Sequence, residues 1–150
     1  MKNILSMTVI LMITSGAVSA QKVKQEAVPA QVKEAFAKKY PGQKAEWEKE
    51  GSDYEAGFDL NKIESSAVFS PEGTFKELEQ EIKISELPKA VTEYCAKNFA
   101  DHKLSEGAKI TDAAGKLTYE AELTKGKEHF DAIFDQQGNF IKKSEVSLKD

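Results

Sequence analysis

The chain has 150 residues, 40% of them hydrophobic and 31% charged, and a formal net charge of −4 at neutral pH. It contains no arginine and one cysteine. The first absence removes the two-pronged grip on phosphate, the second rules out an internal disulfide, and the mild acidity argues against nucleic acid or an anionic membrane as partner.

In chain order, residues 1–20 place Lys2 ahead of an apolar run, Ile4 to Ile13, and then the small residues Ser15 to Ala20. That is the pattern of a secretory signal peptide. The run falls short of the ~20 residues that cross a bilayer, so no membrane insertion is expected. Cleavage near Ala20 would leave Gln21 first, in a soluble periplasmic or secreted protein.

Val28-Pro29 opens an amphipathic stretch with Val32, Ala35, Phe36 and Tyr40 on one stripe. The spacing predicts a helix with proline in its first turn, ended by Pro41-Gly42. Strands are then predicted at 44–50, 53–60, 63–70 and 74–82, where the period falls to two. Gly51-Ser52, Asn61-Lys62 and Gly73 supply the turns between them. Leu87-Pro88 restarts the pattern with Val91, Tyr94, Cys95 and Phe99, followed by strands at 103–111, 116–124, 127–135 and 139–147. The offset between the two copies is 59 at the helices and 65 at the Tyr54 and Tyr119 strands. The second copy therefore has six more residues before that strand, around the turn Asp112 to Lys116.

The organisation read from this is a signal segment, 1–20, and two tandem units, 21–82 and 83–150. The fold class is α+β. Strands joined by tight turns run antiparallel, and the simplest arrangement lays one helix on one face of each four-stranded sheet. Parity leaves the faces unsettled, because Val68 and Ile133 lie opposite to Ala67, Phe69, Ala132 and Phe134.

The Val-Pro and Leu-Pro helix starts, the sequence Lys38-Lys39-Tyr40-Pro41-Gly42, the stretches Trp47-Glu48-Lys49-Glu50 and Tyr54-Glu55-Ala56, and the hairpins Phe69 to Phe75 and Phe134 to Phe140 resemble the PepSY-like family. More narrowly, the chain is similar to the β-lactamase-inhibitor-like, PepSY-like proteins of Bacteroidetes-type bacteria, over most of residues 27–147. The resemblance implies an antiparallel sheet of about eight strands with helices on one side and a concave face on the other. It also implies a face pressed against an enzyme by the namesake inhibitor, and peptidase restraint in PepSY domains more broadly. The namesake is tied by disulfides, and this chain has a single thiol.

Residues that could carry chemistry are few. Cys95 matches Phe36 in the other copy and reads as a core residue. His102 and His129 have no cysteine at ligand spacing, and no calcium-loop register is present, so no metal site or cofactor is expected. The carboxylates Glu46, Glu48, Glu50, Glu55, Glu120, Glu122, Asp131 and Asp135 are spaced by two along strands, which puts several on one face where a cation or a basic partner could be met; the favoured reading is a solvated sheet face interspersed with lysines. Trp47 is either a wedge under the first helix or an anchor for a partner. The expected function is a non-catalytic module that binds a protein or peptide of the cell envelope, as a monomer or weak homodimer. Trp47, Asp53, Tyr54, Asp112 and Lys116 are the candidate contacts, and a small-ligand or cation-binding envelope protein is the alternative.

Overall fold

The structure is a computed structural model that describes residues 21–144 and 147–148; the expected signal segment, 1–20, lies outside the described residues. Within them the chain forms two α-helices, α1 (Ala30–Lys39) and α2 (Lys89–Asn98), and ten strands. Ahead of α1 runs β1 (Gln21–Val23), and after it β2 (Glu46–Glu50), β3 (Asp53–Leu60), β4 (Ile63–Phe69) and β5 (Phe75–Ile82). Following α2 are β6 (Lys103–Asp112), β7 (Leu117–Lys125), β8 (Glu128–Asp135), β9 (Phe140–Lys143) and β10 (Ser147–Leu148). They make one antiparallel sheet in the order β1 to β8, with β9 and β10 sharing the far edge of β8.

The α+β class holds, and the strand number is close to the eight expected. The last expected strand, 139–147, is divided instead: Ser144 leaves the ladder to give its backbone N–H to the Asp131 carbonyl and to accept the Asp131 N–H on its hydroxyl. Three-residue β1 is too short to show a period in sequence.

Each helix is set by the same local chemistry. Pro29 and Pro88 stand at the N-caps with extended backbone, and Tyr40 and Phe99 close the last turns through N–H bonds to the Phe36 and Cys95 carbonyls. Glycine is not needed at the second C-terminus, because the His102 N–H turns back to the Phe99 carbonyl as Gln43 does to Tyr40. Val32 and Phe36 of α1 bury themselves with Trp47, Ala56, Phe58, Ala67 and Phe69. Val91 and Cys95 of α2 do the same with Ala121, Leu123, Phe130, Ala132 and Phe134. Each such large apolar side chain is worth ~1.5–3 kcal/mol, and the paired alanines give each helix a flat floor to approach.

Register resolves the parity question. Trp47 pairs with Ala56, Ala56 with Ala67, Ala67 with Leu78, Leu78 with Thr111 and Thr111 with Leu117, while Tyr119 pairs with Phe134 and Ala121 with Ala132. Side chains of paired residues share a face, so both helical cores lie on the same side of one continuous sheet. Val68, Ile110 and Ile133 belong to the other side.

The turns of Gly73, Gly115 and Gly138 share one geometry, with φ of +84°, +83° and +84°. Their surroundings differ. A Cβ on Gly73 would come within 2.6 Å of the Gln31 carbonyl oxygen in α1, whereas one on Gly115 would meet nothing within 4 Å. Both Gly73→Ala and Gly115→Ala should lose ~1–2 kcal/mol to the left-handed backbone. Gly73→Ala should lose a further ~1–3 kcal/mol to overpacking, read as a lower urea midpoint at unchanged slope; equal losses would mean that the turn does not seat the helix.

Candidate functional site

The face turned away from the helices is built on carboxyl groups. Register sets Glu48 beside Glu55, Glu55 beside Val68, Val68 beside Glu77 and Glu77 beside Asp112 in one row. Glu120 stands beside Ile133, and Glu122 beside Asp131. Like charges directly opposed across strands are unfavourable, and breaks with local rules mark places kept for function.

Four of the eight carboxylates expected on a solvated, lysine-interspersed surface, Glu50, Glu55, Glu120 and Asp131, are buried instead, whereas Glu46 is exposed and Glu48, Glu122 and Asp135 are half-buried. Glu79 is 1% exposed, Glu55 4% and Glu120 5%, and Glu50, Glu77 and Asp131 are buried as well. Burial on a helix-free face requires the sheet to curl, and the electrostatics agree. Lys142 on β9 draws down the pKa of Glu77 on β5, and Glu55 on β3 pushes up that of Glu120 on β7. Each pair is four strand positions apart, about 19 Å in a flat sheet at ~4.8 Å per strand. Bulges at Val68/Phe69, Leu104/Glu106 and Ile133/Phe134 add the bend and twist that bring them together.

Removal from water dominates the titration of these acids. It pushes Glu50 up to about 9, with the neighbouring Glu55 and Glu48 adding to it. Glu55 rises to about 7, even though the Ser66 hydroxyl pulls the other way. Ser66 makes no hydrogen bond of full geometry there. Glu77 is raised by burial against the pull of Lys142. Glu79 is raised by burial, then by Glu120 and Glu55, and Glu120 by burial, then by Asp131 and Glu122. Both carboxyl oxygens of Glu79, and one each of Glu50, Glu55 and Glu120, have no hydrogen-bond partner among the described residues.

The candidate contacts fall in three places. Trp47 lies beneath α1, edge-on to Phe36 at 5.5 Å between centroids, and is a core wedge on the helix side. Tyr54 is half-buried on that same side, with the Lys49 ammonium 5.8 Å from its ring. Asp53 is buried and paired with Lys76. Asp112 organises its own turn, accepting the N–H groups of Ala114 and Lys116 at 2.9 Å, while the Lys116 side chain is exposed. The Asp53 and Asp112 loops do come together, because Lys76 holds Asp53 and its carbonyl accepts the Ala113 N–H. Phe75 and Phe140 pack against the helical cores. By register the phenylalanine, tyrosine and tryptophan rings of strands β2 to β9 all face the helices, and only the His129 imidazole lies on the other side among the described strands.

Glu77, Glu79 and Ile110, at the floor of this face, were not singled out by sequence reasoning. The signal that could have found them is Glu77 and Glu79 sharing the parity of Val68 rather than that of Leu78.

A pH dependence follows. Each raised acid holds its proton longer in the folded chain than in the unfolded one, so stability is full below the ordinary glutamate value of 4.5. It is lost as pH rises toward the folded values. The urea midpoint should therefore fall from pH 5 to pH 8. Glu79→Gln, which faces Glu55, Glu77, Glu120 and Asp131 without ionising, should recover ~1 kcal/mol or more of the loss; a midpoint that rises over this range would contradict the burial.

A family model described as "Putative beta-lactamase-inhibitor-like, PepSY-like" matches residues 17–64 and 54–142. Among solved structures, one titled as "putative periplasmic proteins" from Bacteroides eggerthii superposes at TM-score 0.66 with 19% identity, covering 78% of this chain and 88% of that one. A DUF2874 family protein from Bacteroides uniformis gives 0.65 with 19% identity over 77% and 88%. A BLIP-like protein from Bacteroides fragilis gives 0.61 with 20% identity over 81% and 89%. At these identities the likeness is one of fold. No curated protein matches the chain, and no described helix is long and apolar enough to cross a membrane. The two matches of the model together span well over half of the sequence, and the chain belongs to the β-lactamase-inhibitor-like, PepSY-like family.

Proposed function

We propose that this protein is an exported, non-catalytic binding module that docks a protein or peptide of the cell envelope on its helix-free sheet face. The observation that carries this reading is the burial of Glu79 on that face with both carboxyl oxygens unpartnered among the described residues. A polar group left so costs ~1–3 kcal/mol, a cost that a partner's donors would remove. Converging acids can also serve general acid catalysis. Here they come from five strands, β2, β3, β5, β7 and β8, and line the curled face across its width, an arrangement suited to an extended partner rather than to one reacting bond.

We read the scaffold as two tandem units, 21–82 and 83–150. The repeated cap, helix and turn geometry and the two matches of one family model support this. Export through residues 1–20 is supported by the sequence pattern and by the periplasmic descriptions of structural neighbours. Cleavage after Ala20 would make Gln21, the first residue of β1, the new terminus. In this reading the protein works as a monomer or weak dimer.

Intact mass of the exported protein should correspond to a chain starting at Gln21. Immobilised, it should retain an envelope protein. Thr118→Trp, which fills the helix-free face between Ile110 and Asp135, should weaken retention at least tenfold, ~1.4 kcal/mol. Lys97→Trp on exposed α2 should leave it unchanged; the reverse order would move the binding surface to the helices.

A further inference from the structure

Resting on that reading of the face, we propose that its occupant is an arginine-bearing segment of another protein. Its guanidinium would sit among Glu55, Glu79 and Glu120, and its aliphatic stem over Val68, Ile110 and Ile133.

Three observations converge on this chemistry. The oxygens of Glu55, Glu79 and Glu120 left without a partner among the described residues are acceptors when ionised, and they call for donors. A guanidinium brings five in a rigid planar fork, and it sheds water more readily than an ammonium. Between the acids lie apolar side chains: Ile110 and Ile133 form a small buried cluster of their own, and Val68 is 8% exposed. Such a floor suits a methylene stem. Finally, the chain cannot satisfy the site itself in this way, since it has no arginine. Of its lysines, Lys142 reaches toward Glu77 and Lys76 is engaged with Asp53.

Other ligand classes fit less well. A sugar would call for stacking rings, and by register the phenylalanine, tyrosine and tryptophan rings of the strands face the helices. A metal ion would call for carboxylates gathered around one point, and no group of three His, Cys, Asp or Glu side chains among the described residues is placed to hold one.

Seating the cation ionises the acids beneath it. Facing Glu79 are Glu55, Glu77, Glu120 and Asp131, and by register the same face carries Glu48, Glu50, Glu81, Glu106, Asp112, Glu122, His129 and Lys142. Because burial and the neighbouring acids favour the protonated forms of Glu79 and Glu120, binding should release protons to solvent, and the number released reports how many acids the guanidinium engages.

The test is calorimetric titration of the exported protein at pH 7 in two buffers of different ionisation heat. The probes are an extended nonapeptide with arginine at alternate positions, the same peptide with lysine or with uncharged citrulline, spermidine, and calcium chloride alone. The arginine peptide should bind with net proton release. The lysine peptide should bind several-fold more weakly, and the citrulline peptide should not bind. Glu79→Gln and Glu120→Gln keep the side-chain shape and remove repulsion, so they should stay folded by circular dichroism, lose at least tenfold in affinity and release fewer protons. Equal binding of the citrulline peptide, unchanged binding by the glutamine variants, or binding of spermidine or calcium in place of the arginine peptide would overturn the assignment. If the arginine peptide fails while Thr118→Trp still releases the envelope partner, the face docks another chemistry and only this inference falls. If Thr118→Trp changes nothing, the face itself is wrongly assigned.

Discussion

The curl of the single sheet away from its two helices is the constraint on which the rest of the structure depends. With both helices seated on one side, through Val32 and Phe36 on one floor and Val91 and Cys95 on the other, the opposite side of the strands has no helical cover among the described residues. A flat sheet would leave its acids in water, some 19 Å apart over four strand positions. The three bulges bend the ladder, and side chains from β3, β5, β7 and β9 then act on one another.

That geometry changes what a carboxyl group is. In water Glu79 and Glu120 would be anions with full hydration shells. Buried together, they are cheaper to hold neutral, because desolvation and repulsion from neighbouring acids oppose the charge. The chain accepts this on one face while the helix side is a conventional apolar core, with Phe36 edge-on to Trp47 and Phe58, and Tyr94 stacked on Phe140 at 4.9 Å. In the proposed reading, stability and recognition fall on opposite sides of the same strands.

Much of the scaffold is legible in the residues. The Val28-Pro29 and Leu87-Pro88 starts, the helical stripes that follow them and the glycine turns locate both helices and the strands of β2 to β8 to within a residue or two. The division of the last expected strand depends on Ser144 meeting Asp131, a contact between strands that no local pattern records. The acidic face is a sharper case. Period-two alternation does put Glu48, Glu55 and Glu77 on one parity, but alternation says nothing of curvature, and the same letters on a flat sheet would be a solvated surface. Trp47 shows the converse, since composition makes it a natural anchor and register turns it under α1.

Neutral carboxyl groups held on the face away from the helices can be read directly by infrared difference spectroscopy. Subtracting the spectra of Glu79→Gln and Glu120→Gln from that of the unaltered protein at pH 7 should show the carbonyl stretch of a protonated carboxylic acid for each residue. Difference spectra holding only the paired bands of ionised carboxylate would contradict that neutrality, and would return this face to the ordinary solvated surface that its composition suggests.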